Sequence, residues 1–192
     1  ESERKRSEAE LLRLSNLQLL TSAVSEGGDV KRLVDQALDA VLQTLALTDG
    51  CVVLRVRGSE EINHTTARGL SRNTVARLSD GPMHAYLESS ADRWGSLMVF
   101  PDLLRPDLIT AWHRDPLFQE LRGLFSSEGL RTMVVAGLQT GERSYGAIVA
   151  GSRTLRVFRR GELRLMLAIG NQISVALENR LLQKAAERYN ED

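Results

Sequence analysis

Residues 30–45 read VKRLVDQALDAVLQTL, and residues 49–57, just beyond, read DGCVVLRVR. In the first stretch Val30, Leu33, Val34, Ala37, Leu38, Val41, Leu42 and Leu45 recur at i, i+3, i+4, i+7 without a slip. They therefore share one side of a helix, and a side that apolar must cover something flat. The second stretch supplies the flat partner. From Cys51 to Arg57, Val52, Leu54 and Val56 alternate with Cys51, Val53, Arg55 and Arg57, the period of a half-buried strand. Asp29 is placed to cap the helix and Thr48-Asp49-Gly50 to end it.

Outward from this pair the pattern stays that of strands in hairpins. Gly58-Ser59-Glu60 turns the chain into a second strand, Glu61–Arg68, whose polarity suits a sheet edge. Ser71 to Ser79 reads as a short helix capped by Ser71, and Gly95 to Phe100 as a third strand stopped by Pro101-Asp102. Thr132–Leu138 and Ser144–Ser152 flank Gln-Thr-Gly-Glu-Arg, a hairpin turn. Both are rich in Val, Ile, Ala and Gly, as central strands packed on two faces should be. Gly161 and Glu162 open a long helix to about Tyr189, buried along Leu163, Met166, Ile169, Ile173, Ala176, Leu177 and Leu181. Beyond Leu182 its composition favours helix but offers little to bury, so it should project.

At the other end Leu11, Leu14, Leu17, Leu20 and Val24 mark a helix over Ser7–Val24, broken at residues 26–29. The expected organisation is a connecting helix over 1–27, a domain over 28–182 and a continuation of the last helix over 183–192. Strands grouped in hairpins between terminal helices imply α+β: an antiparallel sheet of five to six strands, with the N- and C-terminal helices packed on one face.

Composition narrows the function. At 192 residues, 42% hydrophobic and 26% charged, the chain can build one sizeable core and is not a disordered segment. One cysteine, Cys51, excludes a disulfide scaffold and suits a reducing, cytoplasmic compartment. The 25 basic and 25 acidic residues balance, so no global field recruits nucleic acid or anionic lipid. No apolar run reaches the roughly 18–20 residues a bilayer demands, and no signal sequence is visible. Opening on Glu1 rather than methionine suggests a piece of a larger protein.

Four stretches in order resemble a known family. The passage Leu45-Ala46-Leu47-Thr48-Asp49-Gly50 into CVVLRV is similar to the approach to the first strand of GAF domains. Residues 128–138, EGLRTMVVAGL, resemble that family's G-(I/L)-R-S-x-x-x-x-P-L strand, and 145–150, YGAIVA, its x-G-x-L-x-(L/A) strand. Residues 158–179 look like its closing helix, F-x-x-x-(D/E)-L-x-L-L-x-x-(I/L)-A-x-Q-(I/V)-A-x-A-(I/L)-x-N. Gly137 stands where the family has proline, Gly170 where it has alanine, and the stretch from Pro101 to Ser127 is longer than the family minimum. A PAS domain, the nearest competitor, would have a shorter core and no such helix before its first strand.

The resemblance implies a sensory module, most often of a bacterial sensor histidine kinase in a two-component system. It implies a cavity between one sheet face and the segment joining the third and fourth strands. Here that region holds Tyr86, Trp94, Phe100, Asp102, Trp112, His113, Phe118, Phe125 and Arg131. Aromatic walls with a few polar groups suit a small molecule. The same residues could equally form a satellite core beneath a long connection. Of them, Tyr86, Trp94, Phe100, Trp112, His113, Phe118 and Arg131 are the candidate ligand contacts, and His113 or His84 could serve haem as an axial ligand. The bilin-binding, cyclic-nucleotide and methionine-sulfoxide-reducing branches carry cysteines or a signature that this sequence lacks.

No constellation for catalysis or metal binding is apparent. His64, His84 and His113 are widely spaced, Cys51 reads as a small buried residue, and no phosphate loop occurs. Arg153, Arg156, Arg159 and Arg160 could contact an anion or a partner, but with acids interspersed elsewhere they read as solvated surface. The surplus terminal helix suggests a homodimer, although Leu14, Leu17, Thr21 and Val24 fit a heptad over only two repeats and that helix could lie back on its own domain. The expected function is signal relay by a dimer with no catalytic residues of its own, to an output domain outside this chain. A receptor for a small ligand or haem, regulating an output such as a diguanylate cyclase or transcription activator, is the alternative.

Overall fold

The computed structural model describes residues 30–56, 63–105 and 114–191. The expected helix over 7–24, the Asp29 cap and the turn at 58–60 lie outside the described residues. In chain order the elements are α1 (Val30–Leu45), β1 (Asp49–Leu54), β2 (His64–Arg68), α2 (Arg72–Leu78), α3 (Gly81–Glu88) and α4 (Ser90–Trp94). They continue with β3 (Leu97–Phe100), α5 (Pro116–Ser127), β4 (Thr132–Thr140), β5 (Arg143–Ser152) and α6 (Arg160–Glu191). The five strands form one sheet in the order β2-β1-β5-β4-β3, with every neighbouring pair antiparallel. This is the α+β architecture expected from the hairpin grouping.

Strand β1 departs from expectation in an instructive way. The alternation is present, but all six residues are buried rather than one face only. Val52 and Leu54 point into a core with Leu38, Val41, Ile148, Ile169 and Ile173, beneath α1 and α6. Cys51 and Val53 point into a second core with Leu87, Val135, Val149 and Phe118, beneath the shorter helices. Paired with β2 on one side and β5 on the other, and covered by a helical layer on each face, β1 has neither a free edge nor a solvent face. The two layers are continuous with β4 and β5: Val134, Ala136, Ile148 and Ala150 serve the first core, Met133, Val135, Ala147 and Val149 the second.

α1 ends earlier than the Thr48-Asp49-Gly50 signal suggested. Ala46 adopts φ +51, its N–H donates to Gln43 O at 3.2 Å, and Leu47 N–H donates to Leu42 O at 2.9 Å. That is the left-handed termination usually built on glycine. It frees Asp49 and Gly50 to become the first residues of β1.

The polar edge strand β2 is fastened rather than left bare. Thr66 Oγ1 donates to Asp35 Oδ1 at 2.5 Å and Arg68 Nε to Asp39 Oδ1 at 3.0 Å, both acids on α1. α2 begins at Ser71 as anticipated, with Thr74 N–H donating to its Oγ. α6 runs 32 residues. Met166, Ile169, Ile173, Ala176 and Leu177 are buried, whereas Leu182 is 63% and Tyr189 85% exposed, so its last turns extend beyond the core. No helix among the described residues is long and apolar enough to cross a membrane.

Two glycines record close approaches. Gly137, in the place of a family proline, donates its N–H to Ser96 O at 3.1 Å, which proline could not do. A Cβ there would lie 2.5 Å from the Ala91 Cβ of α4. Gly146 has φ +144, and a Cβ on it would sit 1.9 Å from Val53 O on β1. Gly146→Ala should therefore cost about 3 kcal/mol or more, from strain plus displacement of β1 from β5. The midpoint of urea unfolding is the measurement, and an unchanged midpoint would contradict this packing.

Candidate functional site

The face of the sheet opposite α1 and α6 is where the candidate residues converge. α3 begins at Asp80, whose carboxylate accepts from Gly81 N–H, and it turns Met83, Tyr86 and Leu87 toward the sheet. α4 adds Trp94, β3 adds Phe100, and α5 adds Phe118, Leu121 and Phe125. Asp115 fixes α5 by accepting from Leu117 N–H at 3.0 Å and Phe118 N–H at 3.5 Å through Oδ1. Its other oxygen, Oδ2, accepts from the Tyr86 hydroxyl at 2.8 Å. A single carboxylate thus ties α3 to α5.

Trp94 sits at the middle of the aromatic group. Its ring meets Tyr86 at 5.6 Å, Phe100 at 5.2 Å and Phe118 at 6.2 Å, each nearly edge to face. Phe100 and Phe118 lie 5.2 Å apart. Such pairs contribute about 0.5–1.5 kcal/mol each beyond their buried area. Arg93 covers the Tyr86 ring at 3.9 Å. Burial, and then the bond to Asp115, push the Tyr86 phenol above its ordinary value. These rings pack against one another and against Leu103 and Leu121 as core side chains do. Beneath them on β1, burial pushes the Cys51 thiol up to about 12, so the thiol stays protonated and behaves as a small apolar residue.

Of the seven candidate contacts, the structure brings Tyr86, Trp94, Phe100 and Phe118 into one cluster; Phe125, from the wider expected region, lies in the same core. Arg131 stands at its rim, bonded through Nε to Asp102 Oδ1 at 3.2 Å and through Nη2 to Oδ2 at 3.0 Å. This guanidinium holds the Asp102 carboxyl below the usual carboxylate range, and Leu104 N–H adds to the effect. Trp112 and His113 lie outside the described residues. His84 Nε2 is 2.8 Å from Leu54 O, to which it donates, and partial burial lowers its pKa. That nitrogen is occupied by the fold and is not presented to a metal centre. Among the described residues no group of three or more His, Cys, Asp or Glu could hold a metal ion.

Other features escaped the sequence reading. Arg153, read there as solvated surface, clasps Asp49, donating from Nε to Oδ2 at 3.1 Å and from Nη2 to Oδ1 at 2.7 Å. Asp49 is 2% exposed, and the same guanidinium reaches the Glu128 carbonyl. Glu128 in turn accepts from Ser71 N–H, Ser71 Oγ and Thr74 Oγ1, which lowers its carboxyl pKa. Arg156 bonds Leu45 O and Glu162, tying the end of α1 to the start of α6. An open depression of about 670 Å³ lies at the β4–β5 turn, where Glu88, Asp92, Glu142 and Glu178 converge beside Arg143. Its acids come from three distant segments, so no local motif announces it.

The GAF domain model matches residues 29–177, most of the chain, and the chain belongs to that family. Among solved structures it is similar to a GAF domain ascribed to a sensor histidine kinase of Pseudomonas syringae pv. tomato. That pair is 15% identical, with TM-score 0.60, over 96% of this chain and 98% of the other. It is also similar to the phycoerythrobilin-bound GAF domain of a cyanobacterial phytochrome, at 13% identity and TM-score 0.59, over 90% of this chain and 97% of that one. A third is the GAF domain of a phosphoenolpyruvate-protein phosphotransferase from Coxiella burnetii, 11% identical with TM-score 0.61, over 91% and 98%. Identities this low carry the fold and not the ligand. No curated protein sequence matches the chain.

Two outcomes follow for this face. Phe100→Ala should lower stability by about 3–5 kcal/mol in urea unfolding, as loss of a core ring does; a cost under about 1 kcal/mol would mean the rings are not core. Asp102→Asn tests the rim. Because the folded carboxyl lies below its unfolded value, the pair's contribution is complete above the unfolded pKa and lost as pH falls through the folded one. Asp102→Asn should therefore melt below the parent at pH 7 and converge with it below about pH 4. A constant gap across that range would remove the pair from the account.

Proposed function

We propose that this chain is the sensory GAF module of a larger signal-transduction protein, a bacterial sensor histidine kinase of the two-component kind. It works in the cytoplasm, dimerises through its terminal helices and relays a signal to an output domain. Catalysis resides outside these residues. The observation that supports this reading most is α6. One uninterrupted helix starts against the sheet, shares the first core with α1, and ends in exposed turns beyond Leu181. At 1.5 Å per residue it is a rod of roughly 48 Å. A rod anchored at one end in a packed core transmits a small shift of that core to whatever engages its other end.

The input would arrive on the opposite face of the same sheet. Because β4 and β5 line both cores, a change in how the aromatic layer packs against Met133, Val135 or Val149 is felt by Val134, Ala136 and Ile148 beneath α6. A small molecule acting there would have to part the rings from one another. Its binding would raise the melting temperature, since only the folded state has the site.

Self-association is the part of this reading most directly measured. Sedimentation of the 192-residue chain at tens of micromolar should give a dimer. A monomer at all concentrations up to that range would overturn dimerisation by these helices.

A further inference from the structure

The segment joining β5 to α6 ties its charged side chains to the domain and leaves its apolar ones in water. Residues 153–158 read RTLRVF. Arg153 clasps Asp49, while Arg156 donates to Leu45 O and to Glu162 Oε1 and lies 5.1 Å from the centre of the Phe158 ring. Between and beside these anchors Leu155 is 59% and Val157 93% exposed. The backbone is held as well. Arg156 N–H donates to Thr132 Oγ1 at 3.0 Å, and Thr154 N–H to Ser152 Oγ at 3.3 Å. The Thr132 hydroxyl donates to Pro101 O at 3.0 Å, so the segment after β3 leaves the sheet at the same end, where Leu104 is 54% exposed. A connection that only spanned a gap would have no reason to be fixed with its aliphatic side chains outward; exposed apolar groups gathered in one place mark a surface that meets something.

We propose that this end of the domain, centred on Leu155 and Val157, docks an acidic protein segment that carries aliphatic side chains of its own. Charge decides the partner. Residues 153–164 hold five arginines and one acid, Glu162. Glu162 is engaged by Arg156 and by the Arg159 N–H, Asp49 by Arg153, and Asp102 by Arg131. Arg159 and Arg160, both exposed, are the charges that face water beside Val157. A second copy presenting the same end would set these arginines against each other. A bilayer is the poorer fit, because among the described residues the large apolar side chains exposed at this end are aliphatic, without the Trp or Tyr that anchor a protein at a membrane interface. An acidic segment answers the arginines, and its aliphatic groups cover Leu155 and Val157. Because the two clasps and the Thr132 hydroxyl already fix this surface, little ordering is lost when it is covered. The surface lies at the opposite end of the sheet from the β4–β5 turn, where Glu178 of α6 lines the depression, so the inference stands apart from self-association through the terminal helices.

Peptide selection tests this. The 192-residue chain is immobilised and a displayed library of random dodecapeptides is selected on it, after depletion on the Val157→Asp protein so that only peptides needing this surface survive. Survivors should be rich in Asp and Glu interspersed with Leu, Ile or Val. A synthesised survivor should bind the Val157→Asp protein, and a protein carrying both Arg159→Glu and Arg160→Glu, roughly tenfold more weakly or worse, and should weaken further as salt is raised. Val157→Asp should leave the melting temperature unchanged, because the side chain it replaces is 93% exposed, so lost binding is not lost folding. An absence of survivors, or survivors without acidic residues, would overturn the proposal. Binding to vesicles of phosphatidylglycerol and phosphatidylcholine that Val157→Asp abolishes would give the surface to a lipid and overturn it too. Loss of self-association in the Val157→Asp protein would give it to a second copy, with the same consequence.

Discussion

Burial of the central strands on both faces is the constraint on which the rest of this structure depends. β1, β5 and β4 lie side by side, and successive residues on each go to opposite cores. Val52 and Ile148 face α1 and α6, while Cys51 and Val149 face the aromatic layer. Two separate helical layers are therefore obligatory, because uncovering either would expose a row of Val, Ile and Ala to water. It also couples the layers. In a close-packed interior, displacement of side chains on one face moves the backbone that carries those on the other.

The polar interactions sort themselves around this double core. Asp35 and Asp39 hold the edge strand β2 to α1, and Asp115 joins α3 to α5. Arg153 draws Asp49, Glu128 and the Gly69 carbonyl together at one end of the sheet. Each of these groups bridges elements that the apolar cores bring near but do not align. They fix orientation rather than supply the main driving force, since half-exposed ion pairs contribute modestly to stability. Arginine suits the task because its planar fork reaches several carbonyls and carboxylates at once.

For a sensory module this arrangement has a clear mechanical consequence. The aromatic layer and α6 never need to touch: the sheet stands between them and belongs to both. Trp94, Phe100 and Phe118 pack on the face that carries Val135 and Val149, and the neighbours of opposite parity, Val134 and Ile148, lie in the core beneath α6. The depression lined by Glu88, Asp92, Glu142 and Glu178 also lies at this junction, since Glu178 is on α6 and Glu88 on α3.

Periodicity in the sequence determined the elements. The unbroken i, i+3, i+4, i+7 pattern over Val30–Leu45, the alternation from Cys51 and the Val- and Ala-rich pair at 132–152 are local properties of side-chain spacing, and each became the element expected. The gathering of Tyr86, Trp94, Phe100 and Phe118 into one region was implied by the family resemblance and by no spacing in the sequence, and the structure packs them in one core. The tertiary structure alone decided that β1 is buried on both sides, since that depends on a helical layer covering each face of the sheet. It alone showed that Arg153 and Arg156 are clasps instead of free surface charges, because their partners Asp49 and Leu45 are about a hundred residues away in the chain.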